Sequence, residues 1–245
     1  MQNGMLFKIK FQCNLSQSTQ RGIPIQSTQR VYFGMRNQQR VFYNFNQQLN
    51  YADMKTDYLN SIKKQFEMYK ILGEKAMAQV PDDKLFWQYN DDSNSIATLV
   101  KHISGNMLSR WTDFLTTDGE KEWRNREAEF DSDIKSRDAL MALWNEGWAC
   151  LFTAVDQLTE EDLERIVYIR NMGHTVTEAI NRQLTHYPYH VGQIVFIAKM
   201  TCGNNWASLS IPRGDSQKYN EEKFAKPKHQ EHFADEYLRD KDSKI

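Results

Sequence analysis

Arg182-Gln183-Leu184-Thr185-His186-Tyr187-Pro188-Tyr189-His190-Val191-Gly192-Gln193 is the stretch on which the reading of this 245-residue chain turns. Its apolar residues, Leu184 and Val191 followed by Ile194, Val195 and Ala198, recur at helical spacing, which predicts an amphipathic helix packed against a core. Residues four apart share a helix face, so His186 and His190 point at one small object between them. Arg182 lies one turn before the pair and Gln193 about one turn after it, extending the polar stripe. Pro188 removes a backbone donor inside this helix and should bend it or loosen the bond to the Leu184 carbonyl. The pair alone fits two readings, half-buried rings satisfied by hydrogen bonds or two ligands of a metal ion, and a third ligand is needed to choose.

Working outward, Thr175 and Glu178 have capping-box spacing and start this helix. Before it, Val167–Ile169 and Gly173–Val176 can form a small hairpin around Asn171-Met172-Gly173, and Thr159–Leu163 reads as one capped turn. A third helix is expected from about Ser136 to Asp156, with Leu140, Leu143, Trp144, Trp148, Leu151, Phe152 and Val155 inward. Gly147 inside it costs about 1 kcal/mol against alanine, which close helix contact or room for a ligand would justify. A second helix, capped by Asn94 or Ser95, carries Ile96, Leu99, Val100, Ile103, Met107 and Trp111 and should stop near Asp118-Gly119. The charged segment between these two has Trp123 and Phe130 as its strong apolar anchors and is expected to cross the surface. A first helix runs from Met54 to Val80-Pro81. The fold class is therefore all-α, a four-helix bundle with room for a small β-hairpin before the last core helix.

Residues 1–53 differ from the rest: rich in Gln, Asn, Ser and Thr, without an acid before Asp53, and repeating Gln17-Ser18-Thr19-Gln20-Arg21 at Gln26–Arg30. Such a low-complexity basic segment predicts disorder or a spurious N-terminal extension, with translation starting at Met54. Its interleaved arginines and aromatics would suit a nucleic-acid arm, but the whole chain carries a net charge of −1 and advertises no attraction to nucleic acid or an anionic membrane. Residues 54–220 form the expected bundle, and residues 221–245 a charged C-terminal tail whose His229 and His232 read as surface residues. The three cysteines, Cys13, Cys150 and Cys202, fit a reducing compartment better than a disulfide framework. With no apolar run near the roughly 18 residues that span a bilayer, the expectation is a cytoplasmic protein without membrane partners.

The third ligand candidate is His102, beside the apolar stripe of the second helix, with Asn106 and Arg110 continuing its face. Metal sites in helical bundles are commonly built from inward side chains of different helices. Here the resemblance becomes specific. Asn94-Ser95-Ile96 through His102-Ile103-Ser104-Gly105-Asn106 to Arg110-Trp111, then Arg182–His186 and His190-Val191-Gly192-Gln193, then Leu209-Ser210-Ile211-Pro212-Arg213-Gly214, resemble the DinB/YfiT-like superfamily, in particular a bacterial branch with a Ser-Ile-Pro-Arg-Gly loop. The resemblance covers about residues 54–220. It implies a four-helix bundle, often dimeric, whose three histidines bind a divalent metal; carried over by position, those are His102, His186 and His190. Some of these relatives are thiol-dependent transferases or isomerases that use bacillithiol or mycothiol.

Three neutral imidazoles suit zinc or nickel, and also iron or manganese, and leave a coordination position open to water or substrate. Two activities follow: a thiol S-transferase that activates a low-molecular-weight thiol such as bacillithiol, with Arg110, Arg182 or Arg213 holding its carboxylates, or a metal-dependent hydrolase. A non-catalytic bundle stapled by the metal is the remaining alternative. No Asp or Glu stands out beside the ligands as the general base that hydrolysis usually wants. Asn106 and Gln193 are candidates to orient ligands or substrate, and Arg213 is expected to reach the site from its loop. The expected partners are a small-molecule substrate and a second copy of the chain.

Overall fold

Hydroxyl caps and unbroken apolar periods set the helices of this protein, whose computed structural model describes residues 58–131 and 133–239. The expectations for residues 1–53 lie outside them. Helix α1 covers residues 58–79, α2 Ile96–Trp111, α3 Arg137–Asp156 and α4 Val176–Cys202. The last three start on a side-chain oxygen that accepts a first-turn N–H: Ser95 from Thr98, Ser136 from Ala139 and Thr175 from Glu178. The Glu178 carboxylate accepts from the Thr175 N–H in return, completing the capping box. Helix α4 runs through Pro188 without interruption.

Helix α2 ends earlier than its apolar period predicts. It stops at Trp111, not near Asp118-Gly119: Thr112 is extended and Asp113 has a φ of 49°. Phe114 and Leu115 carry the apolar pattern onward and do pack on the core, but from a turn in which the N–H groups of Thr116 and Thr117 both donate to the Asp113 carbonyl. A short aspartate side chain tolerates this left-handed backbone.

The hairpin forms from β1, Ile166–Ile169, and β2, Met172–Thr175, paired antiparallel. Its two-residue turn is Arg170-Asn171, with φ of 55° and 61°, so the turn sits one residue before the predicted Asn171-Met172-Gly173. The Asp118 carboxylate accepts from both turn N–H groups at 2.8 Å and secures that backbone.

Side-chain contacts give the helix directions. Tyr58 at the start of α1 donates to Asn181 near the start of α4, and Cys202 at the end of α4 donates to the Gln79 carbonyl at the end of α1. These two helices are parallel. Lys63 pairs with Asp156 while Arg137 bonds to the carbonyls of Met77 and Val80, so α3 runs against α1. His102 meets His190, and Trp111 and Ala179 line one small cavity, so α2 runs against α4. Helices α2 and α3 are consequently parallel neighbours, in contact where Ser104 donates to the Leu143 carbonyl at 2.7 Å. Gly147 permits this approach, since a Cβ there would lie 2.9 Å from the Ser104 Cα.

The core is a continuous apolar cluster with an aromatic centre, in which Phe66 contacts Trp111, Trp148 and Tyr187. Beyond α4, helix α5, Ser216–Phe224, crosses residue 220, and α6 spans Asp235–Arg239. His229 is exposed as expected. His232 is not a free surface residue: its ring bonds to Ser61 Oγ at 2.9 Å, and neighbouring Asp235 pairs with Lys64, so the charged tail docks on α1. Among the described residues no helix is long and apolar enough to cross a membrane.

Candidate metal centre

Parallel neighbours cannot be joined by a short turn; the chain leaving α2 must travel back along its length, roughly 24 Å for a 16-residue helix. Residues 112–136 make that journey. Ser109 Oγ donates to the Gly119 carbonyl, Arg110 bonds to Glu120, and Lys101 reaches Asp133, so the returning segment descends the face of α2 from its end to its start. Halfway down it passes His102. The segment expected to cross the surface thereby contributes a wall to the site.

His102, His186 and His190 come together as the sequence predicts. One nitrogen from each lies within 4.8 Å of the others, and the Nε2 atoms of His186 and His190 are 3.1 Å apart. The Nδ1 atoms face outward and each meets an acceptor: Glu129 Oε2 at 2.8 Å from His102, Gln183 Oε1 at 3.3 Å from His186, and Gln193 Oε1 at 2.8 Å from His190. Carboxylate and amide oxygens only accept, so each Nδ1 carries the proton and each Nε2 presents a lone pair.

Three such lone pairs repel one another in a partly desolvated space. A divalent cation is the species that converts this arrangement to attraction. Metal–nitrogen bonds of roughly 2.0–2.1 Å in a tetrahedral site put ligand atoms about 3.4 Å apart. The 3.1 Å pair lies just inside that figure and the 4.8 Å limit lies outside it, so the donor set fits a metal with modest ring movement. Proton affinity is suppressed as the crowding demands. Burial, then the nearby His190 and His102 rings and the Arg110 and Arg124 charges, hold the His186 imidazole down to about 3, and burial also lowers His190. Neutral rings are the form that ligates.

The remaining predicted residues divide. Gln193 does meet the cluster, its Oε1 accepting from His190 Nδ1. Asn106 does not touch the histidines: its Oδ1 accepts from the buried Tyr187 hydroxyl at 3.1 Å, which in turn accepts from Trp111 Nε1 at 3.0 Å, a polar chain inside the core. Arg110 is buried and spent on the returning segment, bonding to the Gly119 carbonyl and, at 3.1 Å, to Glu120. Arg182 and Arg213 are exposed, and among the described residues neither is hydrogen-bonded or ion-paired to the cluster. The turn Ser210-Ile211-Pro212 before Arg213 lines a groove with Ile71, Leu72 and Lys75 of α1, a groove that the histidines do not line.

Sequence reasoning missed Glu129, Arg124 and Gln183. Glu129 is 5% exposed and lies against α2, where Gly105 makes room: a Cβ there would fall 2.5 Å from its Oε1. Arg124 grips it with Nε at 2.8 Å from Oε1 and Nη2 at 3.1 Å from Oε2, and also reaches Glu120. Burial alone would raise the Glu129 carboxyl, but the bonds from His102 and Arg124 outweigh it and hold the group below the usual carboxylate range. Phe130 stacks on the His102 ring, centroids 5.4 Å apart. Gln183 was readable, since it precedes His186 by three residues as Gln193 follows His190 by three.

Comparison with curated proteins and with solved structures gives no match. A family model does match, over residues 53–215, and that span holds the three histidines, their acceptors and the returning segment. The chain belongs to the family described as Protein of unknown function (DUF1572).

Proposed function

We propose that this chain is a metal-dependent enzyme of thiol S-transferase type, in which His102, His186 and His190 hold one divalent ion, zinc or nickel before iron or manganese. The observation that carries the reading is the set of three histidines that bring one ring nitrogen each together, with each Nδ1 tied to an acceptor. The resemblance to the DinB/YfiT-like superfamily supports it. Three donors, with no fourth His, Cys, Asp or Glu in the group among the described residues, match a site that keeps a position for a reactant.

A divalent metal in that position supplies Lewis acidity, lowering the pKa of a thiol or water that reaches it. The protein's own residues favour the thiol. Hydrolysis wants a carboxylate free to take a proton from water, yet both Glu129 oxygens are engaged by His102 and Arg124 and its pKa is depressed. A thiol of bacillithiol type carries carboxylates, and exposed Arg182, one turn before His186, is available to bind them, while Arg110 and Arg124 are already paired. Exposed Tyr189, Phe196 and Met200 stand at helical spacing on α4 and support a homodimer through that face. A cytoplasmic location agrees with the free thiols of Cys150 and Cys202.

Elemental analysis of the untagged full-length protein tests the reading. About one divalent ion per chain is expected, lost in His190→Ala while the helical circular dichroism persists. Absence of metal from the wild type after reconstitution overturns it.

A further inference from the structure

We infer that Glu129 is a positioning residue for the metal centre: held by Arg124 and admitted by Gly105, it fixes His102 as the Nδ1–H tautomer and so commits Nε2 to the ion. This rests on the three-histidine reading above and adds to it a ranking among the ligands. His186 and His190 lean on neutral amide oxygens of their own helix, three residues away in each case. His102 alone leans on an anion, and that anion arrives from a different part of the chain.

The geometry shows why the carboxylate acts on the ring instead of simply neutralising Arg124. Each oxygen receives a hydrogen bond from Arg124, and Oε2 also receives the His102 Nδ1–H. Three donors converge on one side chain, so an acceptor-only group is required at that point. An imidazole whose Nδ1–H donates to a carboxylate is a stronger base at its Nε2 and is locked in rotation, and loss of such a partner typically costs 10–100-fold in metal affinity. Phe130, one residue on, closes over the ring face and opposes its tilting. The carboxylate reaches this place only because residue 105 lacks a Cβ: the added atom would sit 2.5 Å from Oε1 and 2.9 Å from the carboxyl carbon.

Glu129→Gln separates this role from plain structural support. The amide keeps the size but must aim its NH2 at a donor. Aimed at Arg124 Nε, it breaks one arm of the clamp and leaves His102 a neutral acceptor in place of an anion; aimed at His102, it forces Nδ1 to accept and moves the proton to Nε2, where it blocks coordination. Two readouts on the full-length protein follow: zinc affinity by competition with a chromophoric chelator, and the His102 tautomer by long-range proton–nitrogen NMR on histidine-labelled protein without metal, assigned with His102→Gln. The expected result is zinc affinity weakened 10–100-fold, together with a share of the Nε2–H tautomer that the wild type lacks and retention of helical circular dichroism. Gly105→Ala, which leaves every polar group in place and only displaces the carboxylate, is expected to weaken zinc in the same direction and carries the test if Glu129→Gln does not fold. Wild-type affinity with an unchanged tautomer overturns the inference alone. A wild type that binds no zinc overturns the three-histidine reading and the inference with it.

Discussion

Mild acid should destabilise this protein through its clustered histidines before most of its carboxylates titrate. In the folded chain the His186 imidazole is held down to about 3 from its ordinary 6.5. Between those values the unfolded chain binds a proton there that the folded chain refuses, so the stability is fully present above pH 6.5 and drains as pH falls through the window. At about pH 5 the unfolded ring is almost wholly protonated and the folded one is not, a difference of about 2 kcal/mol for a fully shielded group. His186 is only half-buried, and solvent screening reduces this to about 1 kcal/mol. His190 is shifted the same way and adds to the loss. The lowered carboxyls of Asp118, Glu120 and Glu129 act mainly below about 4.5, in the lower part of that window, and contribute little down to about pH 5.

Urea unfolding in the presence of a chelator, at about pH 7.5 and about pH 5, reads the effect, and thermal midpoints should fall by about 2–4 °C for each kcal/mol in a domain of this size. His186→Asn should flatten the dependence by removing its largest contributor. Added zinc should steepen it, because proton and metal compete for the same lone pair. Equal stability at both pH values in the wild type, or an undiminished dependence in His186→Asn, would refute the picture of three crowded, unprotonated rings.

Tyr187→Phe should destabilise the fold by about 1–3 kcal/mol in urea unfolding, because the Trp111 Nε1–H and Asn106 Oδ1 both lose their buried partner; its zinc affinity should match the wild type, since the ring that contacts His186 is kept and only the hydroxyl is removed. Gly147→Ala should cost about 1–3 kcal/mol in the same assay, because the new Cβ meets the Ser104 backbone, which cannot yield without separating α2 from α3. Asp118→Ala should speed amide exchange at Arg170 and Asn171 well beyond that of the β-strand amides, since both turn N–H groups lose their acceptor.

The helices and two of the three clustered histidines were legible because they depend on local periodicity. His186 and His190 need only one helix to meet, and a capping box announces where that helix begins. His102 was found by its place beside an apolar stripe, an argument that needs two helices but no knowledge of their order. Local signals also misled where periodicity outran geometry: Phe114 and Leu115 extend the stripe of α2 but pack from a turn, because Asp113 has already left helical backbone. Arg110 lies on the face of His102, yet its charge is needed to hold the returning segment, a demand that helical spacing cannot reveal.

Glu129 was illegible for a deeper reason. It sits 27 residues after His102 in a stretch dense with charge, which on composition alone is solvated surface. Its burial follows from topology: with α2 and α3 parallel, the link must retrace α2, and a charged segment laid along a helix face has to pair its charges internally. Arg110 with Glu120, Arg124 with Glu120 and Glu129, and Lys101 with Asp133 do so in succession. The sequence did hold one clue, since residues 112–136 are too many for a turn between antiparallel neighbours and have too few apolar anchors to form another core helix. A charged link of that length in a helical bundle points to a parallel pair, and its acids and bases are then candidates for a site on the helix that the link retraces.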